Sequence, residues 1–121
     1  MNQRVVEIVL ERAGFYCEKC GHSGSGFALH HRKLRSQGGE DTPSNLIAVH
    51  HGCHNLNTDS IHLNPAIAKR NGWIVPGWAE PHEFPMTLPD GSKVYLDDEG
   101  GYTIMEEGIE DGEDTGIGEC W

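Results

Sequence analysis

The pattern of apolar and polar residues predicts a helix at the start of the chain. Apolar side chains recur there at the spacing of one face of an amphipathic helix over residues 3–13. The residues on this face are Val6, Val9, Leu10 and Ala13. Gly14 follows directly and fits as the residue that ends the helix.

Short apolar runs predict two strands in the middle of the chain. Residues 27–31 form the first, and residues 46–49 form the second after an irregular loop rich in glycine. A helix is expected from about His51. Another short helix is expected after Asn64, which suits an N-cap. Helices and strands in this order predict an α+β fold.

The character of the chain changes after residue 79. Strand and turn signals then alternate, which predicts a small β-meander over residues 80–105. Residues 106–121 are rich in Glu, Asp and Gly, and this composition predicts a disordered acidic tail. The predicted organisation is therefore a domain of residues 1–79, a β-rich extension and a tail. We expect the tail to aid solubility; the alternatives are folding back on basic residues and docking on a partner.

Charge is distributed unevenly between these parts. The formal net charge is −10. Residues 1–79 carry 8 Lys/Arg and 6 Asp/Glu, a net +2, whereas residues 80–121 carry 1 and 13, a net −12. A nucleic-acid partner thus suits only the first part. No apolar run approaches the ~18 residues of a membrane span, and no charged-then-apolar leader opens the chain, so we expect no membrane association and a cytoplasmic location.

Four Cys and His residues with matched spacing predict a metal clamp. Two residues separate Cys17 from Cys20, and two separate His50 from Cys53. Thiolate and imidazole ligands in such pairs are typical of tetrahedral structural zinc. The alternative is that these cysteines are free buried thiols. We expect Cys120 to take no part.

Three histidines beside the clamp pairs predict a second site. His30 and His31 are adjacent at the end of a strand, where successive side chains point to opposite faces. His54 directly follows the last clamp ligand, so the clamp would hold its backbone beside the strand end. Two imidazoles with open coordination positions suit a catalytic divalent ion. The plainer alternative is one buried, hydrogen-bonded histidine and one exposed histidine.

The order of these residues resembles that of the HNH endonucleases. The matching run consists of the cysteine pair, His30-His31, Arg35-Ser-x-Gly-Gly, Asn45-Leu46 and the closing His-x-x-Cys-His. The resemblance covers roughly residues 4–75 and implies a small ββα-metal core stapled by a structural zinc. It also implies hydrolysis of DNA phosphodiester bonds, by nicking or by double-strand cleavage.

The resemblance implies a role for each residue of the second site. His30 and His54 would hold a divalent ion, which could be Mg²⁺, Mn²⁺, Ni²⁺ or Zn²⁺. His31 would be the general base, since an imidazole titrates near neutral pH. Asn45 would fix the loop and orient His31 by a hydrogen bond.

The chain departs from the family pattern at two places. His50 stands where many members have a cysteine, and it keeps a ligand that zinc accepts. Many members carry another histidine four residues after His54, where this chain has Thr58. The next histidine is His62, which we expect to be a surface residue or a substrate contact rather than a further ligand.

A dense basic cluster adjoins the expected general base. Its members are Arg32, Lys33 and Arg35. We expect them to contact the phosphates of double-stranded DNA, which positions the duplex without reading its sequence. The alternative is an ordinary solvated run of charges.

The leading functional hypothesis is a metal-dependent HNH endonuclease. The alternative is a non-catalytic, zinc-stapled adaptor that binds nucleic acid or protein and needs the clamp but not the inner histidines. The Asn64 helix and the following Gly72-Trp73-Ile-Val also resemble short phage-encoded HNH proteins. In that group the enzyme often works beside the DNA-packaging terminase, which would place it in a bacterial host cell.

Overall fold

The computed structural model describes residues 2–23, 26–58 and 60–105, and the predicted disordered tail lies outside them. It confirms the predicted α+β class. The helices and strands are α1 (Gln3–Ala13), β1 (Phe27–His31), β2 (Leu46–His50), α2 (Pro65–Arg70), β3 (Met86–Thr87), β4 (Lys93–Leu96) and β5 (Tyr102–Ile104). Within the described residues, no helix is long and apolar enough to cross a membrane.

Helix α1 has the predicted bounds and packs against β2. The side chain of Asn2 caps it by accepting a hydrogen bond from the backbone N–H of Arg4 at 2.7 Å. Gly14 ends it with a φ of 65°, a left-handed conformation that costs glycine little. Val9 is fully buried against Leu46 and other apolar residues. This contact fixes the helix on one face of the first sheet.

Strands β1 and β2 form an antiparallel pair that carries the histidines. The register runs from Phe27 opposite His50 to His31 opposite Leu46. The first four residues of β2 are all buried, on both faces of the strand. The pair is therefore a rigid support for the side chains at its ends.

The helix expected from about His51 is not a regular α-helix. The chain makes one π-helical turn over Gly52–Leu56, and the backbone N–H of Asn57 donates to the carbonyl of Gly52 at 2.9 Å. A Cβ on Gly52 would lie 2.7 Å from the amide nitrogen of the Asn57 side chain, so a larger residue here would displace that side chain. Glycine and turn-forming residues disfavour a longer helix here, because they lack helix propensity.

The predicted meander is present as an antiparallel sheet in the order β3-β4-β5. Its buried side chains Met86, Val94 and Leu96 pack in one cluster with Cys17 and Cys53. The boundary expected between a nuclease domain and an extension therefore runs through a single hydrophobic core.

A buried ion pair fastens α1 to the start of β2. The Arg12 guanidinium donates two hydrogen bonds of 2.9 Å to the Glu18 carboxylate, and both side chains are almost fully buried. The same guanidinium donates to the carbonyls of Pro43 and Leu46, each at 2.7 Å. The Tyr102 hydroxyl donates to Glu18, which ties β5 to this network.

Candidate metal centres and catalytic pocket

The predicted clamp residues come together in space. Their ligand atoms all lie within 4.8 Å of one another, and the residues are Cys17, Cys20, His50 and Cys53. Two of these cysteines are buried. Three thiols and one imidazole are a typical donor set of structural zinc, so the cluster agrees with the predicted metal clamp.

Hydrogen bonds orient the clamp ligands. The Nε2 of His50 donates to the carbonyl of Ser23 at 3.2 Å, which leaves Nδ1 as the ligand atom, 3.5 Å from Cys20 Sγ. The backbone N–H of Cys20 donates to Cys17 Sγ at 3.4 Å. Burial and the neighbouring Cys17 raise the pKa of Cys53 to about 12. Crowded, buried thiols of this kind need a cation before they all ionise, so the residues fit a zinc ion.

A second cluster consists of three imidazoles. The ligand atoms of His30, His54 and His62 lie within 4.8 Å of one another. The Nε2 atoms of His54 and His62 are 3.0 Å apart. Ring centroids are 5.2 Å apart for His30 and His54, and 5.4 Å for His30 and His62. Three imidazoles at these distances can bind one divalent ion and leave other coordination positions open.

The buried member of this cluster is held in one tautomer. The Nε2 of His30 lies 2.7 Å from the carbonyl oxygen of Trp73, and a carbonyl only accepts. Nε2 therefore carries the proton, and Nδ1 keeps its lone pair for a metal. Burial lowers the pKa of His30 to about 3, with smaller contributions from His54 and His62, so the ring is neutral at pH 7.

The loop after the π-helical turn carries His62 into this cluster. The sequence predicts His62 as a surface residue or a substrate contact. Its backbone N–H donates to the carbonyl of His54 at 3.1 Å. The Asn64 side chain donates to the carbonyls of Thr58 and Ser60, which closes the loop. Asn64 precedes α2 as predicted, but its side chain makes this contact instead of a helix cap.

His31, the expected base, borders the same pocket as the cluster. The pocket has a volume of about 270 Å³ and is lined by Leu29, His30, His31, Leu34, Arg35, Ser36, His54 and His62. The Nε2 of His31 donates to the Asp41 carboxylate at 2.7 Å. The prediction that Asn45 orients His31 by a hydrogen bond is therefore wrong, because the partner of His31 is Asp41. Sequence reasoning missed Asp41, whose only signal was an acidic residue in the loop after the histidines.

Asn45 does fix the loop, as predicted. Its Oδ1 accepts from the backbone N–H of Lys33 at 2.7 Å, and its Nδ2 donates to the carbonyls of Lys33 and Glu40 at 3.1 and 3.0 Å. Gly39 lets the loop close, because a Cβ there would lie 1.9 Å from the carbonyl oxygen of Lys33. Asn45 thus shapes the segment that presents Asp41.

The structure contradicts a DNA-contact role for Arg32. Its side chain is fully buried, and its guanidinium donates to four backbone carbonyls at 2.7 to 3.1 Å. The acceptors are the carbonyls of Gly72, Ser44, Pro81 and Phe84. Arg32 therefore links the loop before β2 to Gly72 and to residues 81–84. Its guanidinium cannot reach a phosphate.

The other two basic residues keep solvent access. Arg35 is largely exposed at the rim of the histidine pocket, and its Nη1 donates to Asp41 Oδ1 at 2.7 Å. Lys33 is half-buried and lines a separate polar pocket of about 250 Å³ with Glu40 and His82.

One comparison with known proteins covers the whole clamp and two members of the imidazole cluster. Residues 17–60 match the family model of the HNH endonucleases. This segment is therefore similar to the HNH endonucleases. The match includes the clamp and the inner histidines His30, His31 and His54, and it ends before His62. Among curated proteins and solved structures, nothing matches the chain.

Proposed function

We propose that this protein is a metal-dependent endonuclease that hydrolyses phosphodiester bonds of DNA. The observation that carries the proposal is the juxtaposition of three clustered imidazoles with a fourth, His31, in one open pocket. A divalent ion bound by His30, His54 and His62 would stabilise the negative charge that develops on the phosphate and on the departing oxygen.

The protein side chains supply the proton transfer and the positioning. Because Nε2 of His31 donates to Asp41, its Nδ1 carries the lone pair that can accept a proton from the attacking water. Arg35 lies at the rim of the pocket and would bind a phosphate of the substrate strand. Lys33 is the second candidate for a phosphate contact.

The finer features of this function are also proposals. We propose double-stranded DNA as the substrate, with nicking as the elementary event, because one pocket of this kind cuts one strand. A partnership with a phage terminase, in the cytoplasm of a bacterial host, is supported only by the resemblance of the segment after Asn64. The adaptor alternative accounts for the clamp but gives no role to the imidazole cluster.

Plasmid cleavage by the zinc-loaded protein tests the proposal. We expect nicking with added Mg²⁺, Mn²⁺ or Ni²⁺, loss of nicking with a chelator, and a loss of at least about a hundredfold in His31→Ala. The matched control is His82→Ala, which removes a half-exposed imidazole outside both clusters. Folded wild-type protein that never cleaves under these conditions would favour the adaptor.

A further inference from the structure

One oxygen atom of Asp41 has two donors in the histidine pocket. Its Oδ1 accepts from Nε2 of His31 and from Nη1 of Arg35, each at 2.7 Å. The carboxylate is only 29% exposed, whereas Arg35 is 66% exposed and can leave without opening the fold. Hydrogen bonds from His31 and then Arg35 hold the pKa of Asp41 below its usual value, so the carboxylate is ionised at neutral pH.

Building on the proposed function, we propose that Asp41 is the positioning residue of His31 and that Arg35 shares its carboxylate until a DNA phosphate draws the guanidinium away. The hydrogen bond to Asp41 fixes the Nε2-protonated tautomer and the plane of the His31 ring. This leaves Nδ1 as the only basic atom of His31.

The hydrogen bond from Arg35 to Asp41 makes the positioning of His31 depend on substrate. A guanidinium on Oδ1 competes with the imidazole for the negative charge of the carboxylate. A phosphate is the alternative partner for Arg35, since its oxygens accept the same donors. Once Arg35 has moved to DNA, His31 is the remaining hydrogen-bond donor to Oδ1 of Asp41, and the carboxylate orients its ring alone.

This inference predicts opposite effects on cleavage and on binding. Asp41→Asn should lower kcat by about ten- to a hundredfold, the usual effect of losing such a partner. The same variant should bind duplex DNA as tightly as wild type or more tightly, because Arg35 is released. Arg35→Ala should weaken binding and reduce the slope of the salt dependence by about one.

Glu40→Gln is the matched control, because it removes the same charge from the neighbouring position of the same loop. Its kcat should stay near the wild-type value, since the Glu40 contact to Asn45 uses the backbone carbonyl. Equal losses of kcat in Asp41→Asn and Glu40→Gln would overturn the inference. Weaker DNA binding by Asp41→Asn would also overturn it.

A second readout does not depend on cleavage. Nitrogen NMR of the zinc-loaded protein should show His31 as the Nε2-protonated tautomer in wild type and as a tautomer mixture in Asp41→Ala. An unchanged tautomer in that variant would overturn the role of Asp41. If wild type fails to cleave but shows this NMR change, the proposed function fails while the positioning contact stands.

Discussion

The backbone N–H of His62 donates to the backbone carbonyl of His54, although the two residues are eight positions apart. In a regular helix such a bond joins residues four positions apart. Here the π-helical turn and the loop after it bring the backbone of His62 back beside His54. The imidazole of His62 therefore lies beside that of His54 without the helical spacing seen in many HNH sequences.

The first prediction concerns His62 as a metal ligand. His62→Ala should weaken binding of Mn²⁺ or Ni²⁺ at the imidazole cluster by at least about tenfold, because one of three nitrogen donors is lost. Calorimetric titration of the zinc-loaded protein measures this affinity. Structural zinc content should stay the same, since His62 is not part of the clamp.

Two further variants check the geometry behind that prediction. His51→Ala removes an exposed imidazole near the cluster and should leave the affinity unchanged. Thr58→His, made in the His62→Ala background, should not restore binding, because residue 58 lies in the loop beyond the π-helical turn. Restored binding would mean that the segment is a continuous helix.

The second prediction concerns the clamp. Cys17→Ser should lower the zinc content and the melting temperature together, because the free energy of zinc binding contributes directly to folding. Cys17 lies in the same core as Met86 and Val94, so its loss should loosen the meander as well. Metal analysis and thermal unfolding measure the two effects. A stable, zinc-free variant would show that the clamp is a cluster of thiols.

The third prediction separates the two neighbouring arginines. Arg32→Met should reduce the free energy of unfolding by at least about 3 kcal/mol, because it leaves four carbonyls without their donor. Arg35→Met should change it by no more than about 0.5 kcal/mol, as is usual for an exposed side chain. Urea unfolding measures both. Equal stability of the two variants would contradict the burial of Arg32.

The fourth prediction concerns acid. Burial lowers the pKa of His30 to about 3, so the folded protein keeps this ring neutral while the unfolded chain takes up a proton below about pH 6.5. The unfolded state therefore binds more protons between these values. The free energy of unfolding should fall as the pH decreases through this window, by up to about 1.4 kcal/mol per pH unit from this group.

His30→Gln tests that assignment, because glutamine does not titrate and its amide can still donate to Trp73. Urea unfolding of the zinc-loaded proteins at about pH 6.5 and about pH 5 gives the comparison. The variant should lose less stability than wild type between the two conditions. Equal losses would assign the acid sensitivity to other groups.

Much of this structure follows from local patterns in the sequence. Helix α1 was predicted with its exact bounds, since the spacing of Val9 and its neighbours and the stop at Gly14 are local signals. The clamp residues were predicted to meet because their matched pairs suit one tetrahedral ion, and they do cluster. The role of Asn45 in fixing the loop came instead from the family resemblance, and its Oδ1 does accept from the backbone N–H of Lys33.

Other features depend on contacts that no local pattern encodes. Arg32 has the same charge as its neighbours Lys33 and Arg35, and only the fold determines which of the three is buried. The partner of His31 is set by the path of a glycine-containing loop, which delivers Asp41 in place of Asn45. A turn that closes around Gly52 cannot be distinguished from a short helix by periodicity.

Trp73 limits how short a fragment of this protein can be transferred into an engineered fusion. It lies outside the segment 17–60, yet its carbonyl fixes His30 and its ring lies beneath the ammonium of Lys19, 5.2 Å from the ring centroid. Its indole N–H donates to Thr87 on β3. A fragment cut to residues 17–60 would lack this support, so the shortest transferable unit must extend through β3, the first strand of the meander.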